Sequence, residues 1–181
     1  TPKPSSAASD VYKRQVIAPR PNDYHPDHRY TGVLVQDAAY MVEVPNVAPD
    51  VPPLRKTPVF LYAEDHFQRP NPFRPDIVVD ISTAFAKKIS AIDAHVSQFY
   101  EWMPWIGRYE KEVPTGKEER LKWLMKRYDQ PMKANIRAAM VKWYGAEKAA
   151  KAKYAEAFEI CEYGAQPNEA EIRRLFPLLI K

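Results

Sequence analysis

The hydrophobic positions along the chain change rhythm twice. "VIAP" at 16–19 is a short apolar block, read as the end of a buried strand that delivers the loop "RPNDY" to whatever follows. From Pro26, the residues Tyr30, Val33, Leu34, Ala38, Met41 and Val42 recur at helical spacing, which predicts an amphipathic helix of about four turns. Pro26 suits its first position and makes His25 its cap. "PNVAPDVPPLRKTP" at 45–58 holds too many prolines for a regular element. "VFLYA" at 59–63 and "IVVDI" at 77–81 are apolar runs bounded by prolines and read as buried strands, with "EDHFQRPNPFRP" as the loop between them. Ser82 and Thr83 are placed to cap a further helix, whose apolar stripe is Phe85, Ile89, Ile92, Val96 and Phe99. Beyond the aromatic loop "YEWMPWIGRY", helices are predicted over 117–128, 131–144 and 146–163, with Pro131 opening one and Gly145 and Gly164 closing two. Alanine and lysine around 146–157 favour helix. The expected fold class is α/β: a partial Rossmann-like sheet with covering helices and a helical C-terminal extension.

Composition narrows this picture. A chain of 181 residues with 45% apolar content can build a core. Of its 18 prolines most precede residue 76, so the first part is rich in loops and the second in helices. A single cysteine, Cys161, excludes an intramolecular disulfide and a thiolate zinc cluster, so a metal would need His, Asp or Glu. No apolar run is long enough to span a bilayer, and no signal-peptide core opens the chain; a soluble, cytoplasmic protein is the expectation. The formal charge of +4 comes from 27 basic and 23 acidic residues largely interspersed, which favours a solvated surface over a nucleic-acid patch.

Residues 1–15, "TPKPSSAASDVYKRQ", lack periodicity and read as a non-native or disordered tail; "SSAASDVYKRQ" resembles translated adapter sequence found at the ends of assembled gene fragments. Half of the net charge resides in this tail. On this reading the natural N-terminal part is missing.

The chemistry lies in "YHPDHRY". His25 sits at the mouth of the predicted helix and His28 in its first turn, so both imidazoles reach the carboxyl end of a strand, where open α/β sheets bind ligands. A neutral imidazole can ligate zinc, and Asp27 can fix a neighbouring tautomer. Taken alone, H-x-x-H is a weak pattern that favours ordinary capping and loop hydrogen bonding at a polar helix start over metal binding. A catalytic zinc needs three protein ligands and an open position. His66, beside Glu64 and Asp65, has no spacing that ties it to His28, and His95 beside an apolar stripe reads as packed and hydrogen-bonded.

His25-Pro26-Asp27 is also the J-domain tripeptide, but no basic amphipathic helix precedes it and the fourth residue is another histidine. The longer stretch "YHPDHRYTGVLVQDAAY", with "PDIVVDISTAFAKKISAIDAHVSQF" after it, resembles the LmbE-like (PIG-L) zinc N-deacetylases. This family includes GlcNAc-phosphatidylinositol de-N-acetylases and deacetylases of bacterial thiol biosynthesis. The resemblance covers roughly residues 16–100. It implies that His28 is a zinc ligand, that His25 stabilises the oxyanion or protonates the leaving amine, and that Asp27 orients His25. It implies Zn2+ in the complete enzyme and an N-acetylated amino sugar or conjugate as substrate. No family role falls on His66, His95, Arg20 or Arg29, for which surface or loop hydrogen bonding is the expectation.

The family's early A-H-P-D-D-E motif, source of two further ligands and the general base, occurs nowhere in the chain. The resemblance therefore implies the C-terminal part of a deacetylase: 16–100 from the catalytic domain, 101–181 a helical extension, and an inactive polypeptide as written. The sheet strands would then have exposed edges and uncovered faces. The alternative is a non-catalytic helical module binding nucleic acid or protein through its tryptophans and basic residues. Packing explains the same aromatics, because Leu121, Leu124 and Tyr128 lie at helical spacing. The sequence leaves homo-oligomerisation open.

Overall fold

The computed structural model describes residues 15–179. The tail expected over 1–15 lies outside the described residues, apart from Gln15, which belongs to a strand. The architecture is mixed α/β, with a four-stranded open sheet and surrounding helices. The chain forms two compact units. One runs through Val79, resumes over Ala134–Lys151 and takes the chain from Glu156 onward; the other is Asp80–Lys133 with Ala152–Ala155.

The first unit holds the sheet. Strand β1 (Gln15–Ala18) leads through a loop into helix α1 (Pro26–Met41), which returns the chain to β2 (Val59–Ala63). β1 and β2 pair in parallel, Gln15 opposite Val59 through Ala18 opposite Tyr62. A parallel pair requires such a crossover. Strand β3 (Ile77–Asp80) and strand β4 (Ala155–Gly164) complete the order β1-β2-β4-β3. Val59, Phe60 and Leu61 of β2 and Ile77, Val78 and Val79 of β3 are all buried. The expectation that these two strands would be left with uncovered faces is therefore corrected. β4 lies between them and pairs antiparallel with β2, Leu61 opposite Ile160.

That strand replaces the second half of the helix expected over 146–163. The helix stops at Lys151, and Gly164, with φ of 78°, ends a strand instead. Ala157 and Cys161 are buried four residues apart, a helical spacing that is also two strand repeats. Pairing in the sheet overrides the local helix preference. Glu159 is tolerated in the strand because its carboxylate accepts the main-chain N–H of Arg74 at 3.0 Å.

α1 has the length expected but not the orientation. Its buried positions are Gly32 and Ala39, whereas Tyr30, Val33, Leu34 and Met41 of the predicted core stripe are exposed. The small residues decide this. A Cβ on Gly32 would lie 2.7 Å from the Pro19 carbonyl oxygen, so glycine lets the helix rest directly on the loop after β1. Ala39 packs with Phe60 and Cys161, joined by Val35, Val16 and Tyr62. In the same unit, helices α5 (Ala134–Tyr144), α6 (Ala146–Lys151) and α7 (Glu169–Leu175) follow. Trp143 of α5 is wholly buried and donates its indole N–H to the Asp76 carbonyl at 3.0 Å. α5 starts three residues after Pro131, which does not open it.

The second unit is built on α2 (Phe85–Asp93), a π-helix (Ser97–Trp102), α3 (Met103–Gly107) and α4 (Lys117–Tyr128). The stretch read as an aromatic loop is thus mostly helical. Phe85, Ile89, Tyr100 and Leu124 form its core, with Phe85 stacked on Tyr154 at 3.6 Å between ring centroids. Val96, expected on the buried stripe, is exposed because the α-helix ends at Asp93. Ser82 does not cap α2. Its hydroxyl donates to Asp80 and accepts the main-chain N–H groups of Lys153 and Tyr154, and Ala84 stands at the cap position. Trp123 packs against this core, while Trp102 and Trp105 are exposed and stacked on one another. Among the described residues no helix is long and apolar enough to cross a membrane.

Candidate functional site

The loop after β1 ends where α1 begins, and the sequence makes that junction twice over. Pro26 occupies the first helical turn, and His25 is the cap, its Nδ1 accepting the main-chain N–H of Asp27 at 3.2 Å. His28 sits in the first turn, its ring centroid 5.0 Å from that of His25. Tyr24 meets both imidazoles edge-on, at 5.8 and 5.7 Å. The pair therefore stands at the carboxyl end of β1 and at the positive end of the α1 dipole, a setting that favours an anion or a developing oxyanion.

The two histidines have different partners. His28 Nδ1 lies 3.0 Å from Asp23 Oδ1, and the same oxygen accepts the main-chain N–H of His25 at 2.9 Å. The Asp27 carboxylate is 88% exposed and its Oδ2 is 3.9 Å from His25 Nδ1, beyond hydrogen-bonding distance. It is the main chain of Asp27 that touches His25. Arg29 closes the loop from below, donating from Nη1 to the carbonyls of Asp23 at 3.0 Å and Tyr24 at 2.8 Å.

Behind the loop lies Arg20, for which surface or loop hydrogen bonding was expected; it makes loop hydrogen bonds, but from a buried position. It is only 5% exposed. Its Nε and Nη2 grip the two oxygens of Asp65 at 2.7 and 2.5 Å, Nη1 donates to the Asn71 carbonyl at 2.9 Å, and Nη2 to the Phe67 carbonyl at 3.0 Å. Glu159 adds a second carboxylate at 3.8 Å, and the guanidinium lies over Phe73. The Asp65 hydrogen bonds hold the Arg20 guanidinium above its ordinary value against the opposing effect of burial. One arginine thus ties the loop after β1 to the loop after β2, at the carboxyl ends of two parallel strands.

A part-buried polar chain links β2, β4 and α1: Cys161 Sγ donates to Tyr62 Oη at 3.1 Å, and Gln36 donates to that same hydroxyl. Burial, then the Cys161 contact, pushes the Tyr62 phenol up from its ordinary range. Asp65 is occupied by Arg20, and His66 is exposed and stacked on Phe67, 4.7 Å between centroids. His95 is exposed, not packed, because α2 has already ended where it stands; its ring meets Phe99 edge-on at 6.5 Å.

Among the described residues no group of three or more His, Cys, Asp or Glu side chains is arranged to hold a metal ion. The donor set is therefore incomplete for a catalytic zinc, which needs three protein ligands. Sequence reasoning missed Asp23, Arg20 and Asp65. Asp23 had a local signal, since an aspartate two residues ahead of a main-chain N–H forms an Asx turn. Arg20 had none, because its partner lies 45 residues away.

No protein-family model matches the chain. Solved structures similar to it include N,N'-diacetylchitobiose deacetylase from Pyrococcus horikoshii in complex with its inhibitor MPG, at 22% identity and a TM-score of 0.47, covering 82% of this chain and 45% of that one. A second is GalB, the 4-carboxy-2-hydroxymuconate hydratase of Pseudomonas putida, at 19% identity and 0.49, covering 90% and 59%. A third is the conserved protein TT1542 of Thermus thermophilus, at 23% and 0.48, covering 89% and 57%. The chain spans about half the length of the structures it matches. With every TM-score below 0.5, the functional reading rests on the residues at the mouth of α1.

Proposed function

We propose that the chain is the C-terminal part of an LmbE-like zinc-dependent N-deacetylase that removes the acetyl group from an amino sugar or its conjugate. The observation that carries this reading is the position of His25-Pro26-Asp27-His28: it straddles the start of α1, at the end of the loop that follows a parallel strand, with its two imidazoles side by side and differently bonded. In this reading His28 is one zinc ligand, and the remaining ligands and the general base come from outside the described residues. Bound zinc supplies Lewis-acid polarisation of the acetyl carbonyl. The residues of this chain place protons. With Nδ1 filled by the Asp27 N–H, a neutral His25 carries its proton on Nε2, where it can donate a hydrogen bond to the oxyanion of a tetrahedral intermediate; protonating the leaving amine requires the ring to start as imidazolium and end neutral. Asp27 orients His25 through its main-chain N–H.

The test is to sequence the source DNA upstream of Val16, express the extended reading frame, and measure acetate release from an N-acetylglucosamine conjugate with and without zinc. An in-frame strand followed by A-H-P-D-D-E, with zinc-dependent release lost in His28→Ala, is the expected result. A natural start codon before Thr1 with no such motif would sink the proposal. The 181-residue chain alone is expected to release no acetate.

A further inference from the structure

We propose that Asp23 is the positioning residue of the histidine pair: it holds the His25 main chain and sets the His28 ring in the tautomer opposite to that of His25. Its Oδ1 accepts both His28 Nδ1 and the His25 N–H, at 3.0 and 2.9 Å. An ionised carboxylate can only accept, so the Nδ1 of His28 carries the proton and its Nε2 keeps the lone pair. His25 is bonded the other way round: its Nδ1 accepts from Asp27 N–H, which leaves the proton on Nε2. One ring thus offers an acceptor, the other a donor, at equivalent ring positions 5.0 Å apart between centroids.

Asp23 can do this because it is held and Asp27 is not. The side chain of Asp23 is 12% exposed against 88% for Asp27. Its main-chain carbonyl and that of Tyr24 are fixed by Arg29, and the neighbouring Asn22 side chain donates to the Arg69 carbonyl at 3.0 Å. A carboxylate behind the remote nitrogen of a ligating histidine fixes its tautomer and orientation and raises its basicity. The consequence for metal binding rests on the deacetylase reading; the tautomer assignment does not.

The experiment is nitrogen NMR of the histidine rings in the full chain, labelled with nitrogen-15, at about pH 8.5, where free imidazole is neutral. Wild-type His28 is expected as the Nδ1–H form and His25 as the Nε2–H form. Asp23→Ala should return His28 to the Nε2–H form usual for free imidazole, while Asp23→Asn, which keeps an acceptor oxygen, should retain Nδ1–H. His28 found as Nε2–H in the wild type would overturn the proposal without any variant having to fold, and so would an unchanged ring in Asp23→Ala. Zinc chloride is then added to the same samples. A wild-type His28 Nε2 that responds, with an apparent affinity about 10- to 100-fold weaker in Asp23→Ala, supports both readings. Correct tautomers support the role of Asp23 whether or not His28 responds to zinc; the zinc reading is decided separately, by zinc-dependent acetate release from the extended reading frame.

Discussion

Replacing Arg20 by Met keeps most of the aliphatic stem and removes the guanidinium fork that joins two loops and lies over Phe73. Three losses follow. The Asp65 carboxylate, 12% exposed, loses both bonds from the guanidinium and keeps only the Phe67 N–H at 3.0 Å. The carbonyls of Asn71 and Phe67 lose their donor, and Glu159 loses its nearby cation. Removing one partner of a buried ion pair costs about 3–5 kcal/mol, because the remaining charge is stranded. The surviving Phe67 bond and the slight exposure of Asp65 place Arg20→Met near the lower end, about 3 kcal/mol. For a chain of this size that corresponds to a fall in melting temperature of roughly 6–12 °C. Guanidinium unfolding, followed by the fluorescence of buried Trp143 in a variant lacking the other tryptophans, measures it. Arg20→Lys keeps the charge but not the fork and should fall between the two. Adding Asp65→Asn to Arg20→Met should cost less than the sum of the two changes, since the stranded charge is gone. A loss below about 1 kcal/mol for Arg20→Met would refute the reasoning, because that is what a solvent-screened surface pair contributes.

Gly32→Ala should lower stability by about 1–3 kcal/mol in thermal melts, although alanine favours helix, because the added Cβ meets main-chain atoms of Pro19, Arg20 and Pro21. A stabilised variant would mean that α1 does not rest on the loop. Alkaline titration of phenolate absorbance should show Tyr62 and Tyr100 ionising last, since burial raises both, followed by the Cys161 contact for Tyr62 and by donation to Asp93 at 2.5 Å for Tyr100. A folded-state value raised above the unfolded one, near 10, gives stability that is complete below about pH 10 and lost as pH rises through the folded value. Tyr62→Phe and Tyr100→Phe should remove only the late part of the curve. Asp129 is held below its ordinary range by hydrogen bonds from Tyr154 and then Lys153. Its contribution is therefore present above about pH 4 and lost as pH falls through the lower folded value. Asp129→Asn should flatten the acid limb of melts that follow the Phe85–Tyr154 stack, and an unchanged limb would count against this bond.

The elements whose signal is local were legible in the sequence. β2 and β3 are apolar blocks between prolines, and α1 begins where Pro26 and His25 say it does, because a ring-locked φ and a side-chain cap act within one turn. His25 and His28 could be placed at the helix mouth from three residues of spacing. The face that α1 buries could not be read this way. The periodicity of Tyr30, Val33 and Leu34 marked a core stripe, but contact with the loop required the position without a side chain, Gly32.

β4 shows the same limit at larger scale. The run from Ala155 to Gly164 is rich in alanine and glutamate, and nothing within it announces a strand; its state comes from β2 and β3 on either side. Asp23 and Arg20 complete the contrast. The sequence by itself determined which residues open a helix and which short blocks are apolar enough to be buried. Only the tertiary structure decided that Asp23 rather than the Asp27 carboxylate meets an imidazole, and that Arg20 and Asp65 meet across two strands. Caps and propensities are set by neighbours a few residues away, whereas burial and charge pairing are set by whichever segments the sheet brings together.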